Sequence, residues 1–414
     1  MRRFGFKETL AAALMLLSLA ACERENPATT REYREVIIYC GMGYNNLSSN
    51  IRSNLEQLKE GNLPYDTADK AIVAFCHNTA PGGGYTTDNP PVLLQFCNRG
   101  GQNVIDTLRI YPADTKSATA ESLTAALFDI RGLFPAKRYG MIFSSHSTGW
   151  TPCGYKAAEE GEFAFSATQE REAEEFPLTK AFGSQFVGSY ERNMEIDLTD
   201  FAAAIPMKLE YIIFDSCLMG GVEVAWELKN VCDRIVFSPT EVIAEGFIYK
   251  PMSWHLLAGR NPDLKSICED FFNYYDSQSG NSRSATVTLL DCRGLDRLAE
   301  VFSGIVASHR KGFDNINRGK VQPYFYGAGS STKDWFYDIR DAAREAGADS
   351  GELSMLDKAL DGCIEYHAET ESFFKTPLER CCGLSSYLPS PSRPRLTAYY
   401  KGLSWNRAVG LVAE

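Results

Sequence analysis

The alternation of short apolar runs with helix-periodic segments is the feature that most constrains this fold. Val36–Cys40 is a continuous apolar run, typical of a strand covered on both faces, and apolar residues then repeat at helical spacing over 47–58. The pattern further predicts strands over 71–76, 92–97, 104–111, 139–145, 209–216 and 234–238, and helices over 123–134 and through 224–228. Repeated strand-helix-strand order predicts an α/β fold, with a mainly parallel sheet flanked by helices on both faces.

The second half of the chain keeps this character. Helices are predicted over 263–277, 295–309, 337–346 and 353–372, and strands over 285–290 and 383–388. We therefore predict a first domain over 34–260 and an additional C-terminal α/β region over 261–414 packed on it. Residues 151–195 carry acidic clusters without periodicity, and a loop of that length inside a compact domain is usually functional or mobile.

The N-terminus predicts export. A basic front, an apolar run over 10–19 and two alanines form a signal peptide over 1–21, and the run is too short for a comfortable membrane span. Leu19-Ala20-Ala21-Cys22 is similar to a bacterial lipobox, which predicts lipidation of Cys22 and a polar tether over 22–33. The protein would then be a bacterial membrane lipoprotein, periplasmic or on the cell surface. The alternative is an ordinary signal peptide with an incidental cysteine.

The composition and the absence of common motifs argue against several classes of function. A net charge of -11 argues against nucleic-acid binding, because phosphates would be repelled. The sequence has no GxGxxG after its first strand, no GxxxxGK[ST], no CxxC and no HExxH, so nucleotide and zinc sites have no support. Export permits disulfides among the twelve cysteines, but the sequence does not indicate which of them pair.

Two predicted strands end in residues suited to thiol chemistry. His146 follows the strand over 139–145, and Cys217 follows the strand over 209–216. Because the carboxyl ends of parallel strands share one edge, a nucleophile and its acid or base would meet there. We expect a helix to begin at Cys217, so that its first amides favour the thiolate and help to bind an oxyanion. The alternative is a buried structural thiol and an ordinary loop histidine.

Asp215 suggests the substrate. If the strand continues to Cys217, the carboxylate and the thiol share a face. The carboxylate would then raise the thiol pKa unless a positive charge offsets it. We therefore expect Asp215 to bind lysine or arginine before the scissile bond. The alternative is an ion pair with a neighbouring basic residue.

These segments resemble a known family. HSTGW and FDSCLMGGVEVAWEL look like the two signature segments of the clostripain family, caspase-like cysteine peptidases that favour arginine or lysine. Weaker likenesses (YCGMGYNNLSSN, SPTEVIAEGFIY and GLSSYLP) extend the resemblance over most of residues 35–405. It implies a caspase-like sheet with His146 as catalytic histidine and Cys217 as nucleophile. It also implies that Asp215 lies at the base of the specificity pocket and that the backbone amides of Ser147 and Cys217 bind the oxyanion.

The resemblance also implies self-cleavage between the catalytic residues, for which the candidate sites are Lys156, Arg171, Lys180 and Arg192. Some relatives depend on calcium; the sequence has no EF-hand loop, so calcium is left open and no other cofactor is expected. Ser147 stands where the family usually has glycine, and Tyr44 where an acid often precedes Asn45-Asn46. If the serine position needs a positive φ, the turn is strained.

The resulting prediction is a cysteine endopeptidase that acts on proteins or peptides with basic residues. One rival is a catalytically inactive, peptide-binding lipoprotein of the same fold, and another is an acyl-transfer enzyme specific for arginine.

Overall fold

The computed structural model describes residues 31–80, 89–155, 185–186, 193–325 and 334–413. The signal peptide, Cys22, most of the tether and the four candidate processing sites lie outside the described residues. Within the part of the chain that is described, no helix is long and apolar enough to span a membrane.

Fifteen strands are described, and nine of them form one sheet. The nine are β1 (Tyr33–Gly43), β2 (Lys70–Asn78), β3 (Val92–Arg99), β4 (Gln102–Ile110), β5 (Ala136–Ser144), β8 (Leu209–Asp215), β9 (Cys232–Phe237), β10 (Thr286–Asp291) and β12 (Ile364–Glu369). The short pairs are β6 (Gln185–Phe186) with β7 (Asn193–Met194), β11 (Tyr337–Asp338) with β15 (Ser385–Ser386), and β13 (Ser372–Phe373) with β14 (Thr376–Pro377).

Helices flank the sheet. In chain order they are α1 (Ser48–Glu60), α2 (Ala120–Leu133), α3 (Leu198–Ala204), α4 (Val222–Leu228), α5 (Tyr249–Leu257), α6 (Leu264–Asp276), α7 (Leu295–Ser308), α8 (Arg310–Asp314), α9 (Ile339–Ala346), α10 (Ser350–Asp361), α11 (Pro394–Lys401) and α12 (Ser404–Val409). With the nine-stranded sheet they form the predicted α/β fold, in which helices flank a sheet with a parallel centre.

The sheet has a parallel centre and antiparallel margins. Its order is β12-β10-β9-β8-β5-β1-β2-β3-β4, and the five strands from β9 to β2 are parallel. Residues 36–40 in β1 are fully buried, as expected for a strand between two neighbours and covered on both faces. The register aligns Ser144 with Asp215 and with Gly41, so the carboxyl ends of β5, β8 and β1 meet at one edge.

Two local features explain the antiparallel margins. Strands β3 and β4 are joined by Gly100 and Gly101, both at positive φ, which is a two-residue hairpin turn and too short for a parallel crossover. At the other margin, the helix predicted over 353–372 is wrong in its second half. Helix α10 ends at Asp361, and β12 pairs antiparallel with β10 as an edge strand with alternating exposure.

The strands β10 and β12 both follow residue 260 and extend the main sheet. The C-terminal region over 261–414 thus contributes strands to the same sheet as the residues before it. A boundary between two domains near residue 260 stays a prediction. The late strand predicted over 383–388 is present as β15, which is only two residues long and pairs with β11.

Candidate active site

Three chain segments leave the sheet side by side at the edge where β1, β5 and β8 end. Asn46 lies three residues beyond β1, His146 two residues beyond β5, and Cys217 two residues beyond β8. Because these strands are direct neighbours, the predicted catalytic pair lies at one edge of the sheet.

His146 is held by an asparagine that sequence analysis did not single out. Its side chain is half-buried, and Nε2 lies 2.5 Å from Oδ1 of Asn46, across a hundred positions of sequence. The resemblance includes the turn at Asn45-Asn46, but Tyr44 stands where the family often has an acid, so the resemblance assigns no role to this turn. In the structure, Tyr44 is buried and stacks on His77, with ring centroids 4.2 Å apart.

Cys217 is fully buried, and its sulfur faces the backbone of Val242. The Val242 N–H donates to Sγ at 3.2 Å, and the protonated thiol donates to the Val242 carbonyl oxygen at 3.6 Å. An N–H directed at sulfur stabilises a thiolate, because a charged acceptor forms the stronger hydrogen bond. This amide lies 25 residues further along the chain, so no local pattern could have revealed it.

The expected helix start at Cys217 is wrong. Strand β8 ends at Asp215, α4 begins only at Val222, and Leu218 between them has a left-handed φ of 59°. That conformation is unfavourable for a leucine, and strained backbone of this kind clusters at functional sites. The amides of Leu218 and Gly220 donate to the carbonyls of Thr240 and Ser238, each at 2.8 Å, so they are not directed at the thiol.

The histidine and cysteine segments contact each other directly. The hydroxyl of Ser147 donates to the carbonyl of Cys217. Gly149 has a φ of +63°, and a Cβ there would lie 2.6 Å from the carbonyl oxygen of Leu218. Among the described residues other than glycine, positive φ occurs at Leu218 and Phe374 and not at Ser147. The serine therefore causes no left-handed strain, and it adds a hydrogen bond that glycine could not make.

Asp215 is fully buried beneath aromatic side chains. The hydroxyls of Ser144 and Tyr249 donate to its Oδ2 at 2.8 and 2.7 Å. Burial raises the pKa of Tyr39, Tyr249 and Tyr275 well above the ordinary value, and the negative charge of Asp215 raises each pKa further. The carboxylate thus lies in an aromatic pocket of low polarity, where a charge interacts strongly.

One chain segment contacts both the thiol and the carboxylate. We call residues 242–246 the bridging segment. Its first residue, Val242, bonds to the sulfur, and a Cβ on its last, Gly246, would lie only 2.2 Å from Oδ1 of Asp215. The sequence predicts that a shared strand face brings the thiol and the carboxylate together. The strand ends too early for that, and the bridging segment makes the connection instead.

A second buried carboxylate lies behind the site. Oε1 of Glu223, in α4, accepts hydrogen bonds from the Tyr400 hydroxyl at 2.8 Å, the Tyr387 amide at 2.8 Å and the Ser386 hydroxyl at 3.2 Å. Burial raises the pKa of Glu223 to about 7, although these donors lower it. The rings of Tyr387 and Tyr400 both pack on Trp150, with centroids 5.0 Å away, so the C-terminal segment supports the segments that carry His146 and Cys217.

The described residues form neither a metal-binding cluster nor a disulfide. Among the described residues, no three His, Cys, Asp or Glu side chains are grouped so that they could hold a metal ion, and calcium stays open as the sequence left it. Of the twelve cysteines, eleven lie in the described ranges, and none of these is in a disulfide.

Comparison with solved structures confirms the predicted caspase-like fold. An inactive zymogen C11 protease from Parabacteroides distasonis is 23% identical, with a TM-score of 0.71 over 92% of this chain and 99% of that one. A secreted C11 cysteine protease from Bacteroides thetaiotaomicron is 24% identical, with a TM-score of 0.72 over 92% and 100%. A secreted C11 cysteine protease from the same organism, in complex with an irreversible peptide inhibitor, is 17% identical, with a TM-score of 0.72 over 91% and 99%.

Sequence comparison identifies the family. No curated protein sequence matches the chain. The model of the clostripain family matches residues 40–322, which is more than half of the chain and includes both His146 and Cys217. The chain therefore belongs to the clostripain family and is a clostripain-like cysteine peptidase.

Proposed function

We propose that the protein is a cysteine endopeptidase that cleaves after arginine or lysine, with Cys217 as nucleophile and His146 as its proton-transfer partner. The observation that carries the proposal is the bridging segment, which contacts the Cys217 sulfur through Val242 and the buried Asp215 carboxylate at Gly246. A peptide whose basic side chain reaches Asp215 would bring its carbonyl carbon to the sulfur.

The reaction follows from these positions. The Cys217 thiolate attacks the carbonyl carbon, and the backbone amides of Ser147 and Cys217 bind the resulting oxyanion. His146 gives its proton to the leaving amine as the C–N bond breaks, which leaves an acyl-enzyme. Water then attacks the acyl carbon and passes its proton to His146, and the thiolate leaves.

The preference for basic side chains rests on Asp215. A buried carboxylate attracts a cationic group strongly, since little solvent screens the pair. Tyr39 and Tyr249 pack edge to face beside it, with centroids 5.6 Å apart, and aromatic walls also suit the aliphatic stem of lysine or arginine. Asp215→Asn should therefore lower kcat/KM for basic substrates by about 30- to 5000-fold, since truncating a buried charge pair costs about 2–5 kcal/mol.

Self-processing and export complete the proposal. We infer cleavage at Lys156, Arg171, Lys180 or Arg192, and export as a lipoprotein anchored through Cys22. A secreted relative supports export. Intact mass and N-terminal sequencing of wild type and Cys217→Ala test both. Two fragments in the wild type and one in the variant are expected, together with a lipidated N-terminus; an uncut wild type would contradict self-processing.

A thiol-reactive irreversible probe that carries a basic residue tests the peptidase itself. Labelling should be lost in Cys217→Ala, strongly slowed in Asp215→Asn, and unchanged in Cys153→Ser, which removes an exposed cysteine as a matched control. Labelling that persists in Cys217→Ala would refute the assignment of the nucleophile.

The complete burial of Cys217 favours one second candidate, a protein that binds peptides without cleaving them. Absence of labelling in soluble, mature wild type, combined with binding of a basic peptide that Asp215→Asn abolishes, would establish that candidate.

A further inference from the structure

Asn46 occupies an unusual place in the turn between β1 and α1. Its side chain is exposed, whereas its neighbours Tyr44, Asn45 and Leu47 are buried. An asparagine in such a turn ordinarily bonds to the local backbone. Here Asn45 does that, because its Oδ1 accepts from the Leu47 amide at 2.9 Å and its Nδ2 donates to the Met42 carbonyl at 3.1 Å. The turn does not need the amide of Asn46.

That amide is instead directed at the catalytic histidine. Its Oδ1 lies 2.5 Å from Nε2 of His146. A carbonyl oxygen only accepts hydrogen bonds, so Nε2 carries the hydrogen, and in the neutral imidazole the basic nitrogen is then Nδ1. Nδ1 is shielded from bulk solvent, as a nitrogen that works inside a catalytic groove would be.

We propose that Asn46 is a positioning residue, which fixes the ring orientation and the tautomer of His146 so that Nδ1 exchanges protons with the substrate. The proposal rests on the proposed function and adds a third member to the pair. Nδ1 takes the proton of the Cys217 thiol as the sulfur attacks and passes it to the leaving amine when the C–N bond breaks. The attacking water then gives a proton to Nδ1, which returns it to the sulfur as the acyl–sulfur bond breaks. Nε2 keeps its hydrogen throughout and donates it to Oδ1 of Asn46.

The turn is supported from below. Tyr44 lies nearly parallel to His77, at an interplanar angle of 19°. The His77 ring is itself fixed, since Nδ1 bonds to the Ser117 hydroxyl at 2.7 Å and Nε2 to the Asn89 carbonyl at 2.9 Å. A positioning group is effective only when its own support is rigid. The tyrosine that replaces an acid in this chain therefore supports the turn by packing.

The first test reads the imidazole directly. Nitrogen NMR of the full chain with labelled histidine resolves the tautomer of each of the five histidines, and His146→Gln assigns the relevant signals. We expect the Nε2–H form of His146 in the wild type and in Ser49→Ala, which alters an exposed side chain in the first turn of α1. Asn46→Ala should give a mixture of tautomers. An unchanged tautomer in Asn46→Ala would overturn the proposal.

The second test is the rate of labelling by the basic, thiol-reactive probe. Asn46→Ala should slow it by about 10- to 100-fold, the range expected for losing a hydrogen bond to a charged group. Asn46→Asp should restore most of the rate and move the acid limb of the pH profile upward, because a carboxylate favours the imidazolium. Equal rates and profiles in wild type and Asn46→Ala would also overturn it.

The two readouts separate the proposals. If wild type is not labelled while the tautomer still depends on Asn46, the proposed peptidase fails and the positioning contact stands. If wild type is labelled and neither readout responds to Asn46, the peptidase stands and the positioning role fails.

Discussion

The buried carboxylate of Glu223 makes a quantitative prediction about stability. Its pKa is about 7 in the folded protein, against an ordinary value of 4.5. Between these values the folded state holds a proton that the unfolded state has lost, so the free energy of unfolding decreases as pH rises. At about 1.4 kcal/mol per pH unit, the loss over this window is about 3 kcal/mol. The stabilisation is complete below pH 4.5 and is lost as pH passes 7.

Glu223→Gln removes this proton linkage while it keeps an acceptor for Tyr400 and the Tyr387 amide. We expect the variant to be more stable than wild type at pH 8 and similar to it at pH 5. Urea denaturation from pH 5 to pH 8 measures the difference in unfolding free energy. Glu227→Gln, on the same helix and only partly buried, is the matched control.

The difference between proteins matters more than the wild-type curve, because His77 titrates in the opposite sense. A difference between wild type and Glu223→Gln that stays constant from pH 5 to pH 8 would refute the reasoning. The prediction would also fail if Glu227→Gln changed the pH dependence as much as Glu223→Gln does.

Three further predictions concern the turns around the site. Burial lowers the pKa of His77 from 6.5 to about 4, so it should contribute stability that is lost as pH falls from 6.5 towards 4; His77→Gln should flatten that part of the denaturation profile, and an unchanged profile would contradict this. Gly149→Ala should lower the melting temperature and slow probe labelling, because its Cβ would meet the Leu218 carbonyl oxygen. Gly154→Ala is the control, since it is also at positive φ but has no described atom within 4 Å, and it should lower the free energy of unfolding by only about 1 kcal/mol. Equal effects of the two substitutions would show that the clash is unimportant. Ser147→Gly should lose about 1 kcal/mol in denaturation and slow labelling, because the bond to the Cys217 carbonyl is lost; faster labelling would show that the serine hinders catalysis.

The parallel centre of the sheet was predictable because burial on both faces leaves a local trace. Residues 36–40 and 211–214 are continuous apolar runs, and a helical segment follows each. Orientation was less visible. Gly100-Gly101 between two apolar runs is a hairpin signal, but the repeated strand-helix order elsewhere favours parallel strands. Strand β12 could not be recognised because its residues are only half-buried and its sequence also fits the exposed side of a helix.

The site was predictable where its chemistry lies at strand ends. The position of His146 and Cys217 at neighbouring strand ends could be predicted because each directly follows a strong strand of a parallel sheet. Their catalytic roles rest on the family resemblance and stay a prediction. The contacts made by Val242 and Asn46 could not be predicted, since they come from segments 25 and 100 residues away. Helix α4 begins only at Val222, after the left-handed Leu218, and a leucine in the sequence does not indicate a left-handed conformation.

The bridging segment has a consequence for how this enzyme could diversify. Its backbone lies against the sulfur at one end and against the pocket carboxylate at the other. A mutation or insertion there that reshapes the pocket would also shift the N–H directed at Cys217. A lineage that acquires a new residue preference through these positions would therefore change its reactivity in the same step, and compensating changes should appear in the loops that carry His146 and Cys217.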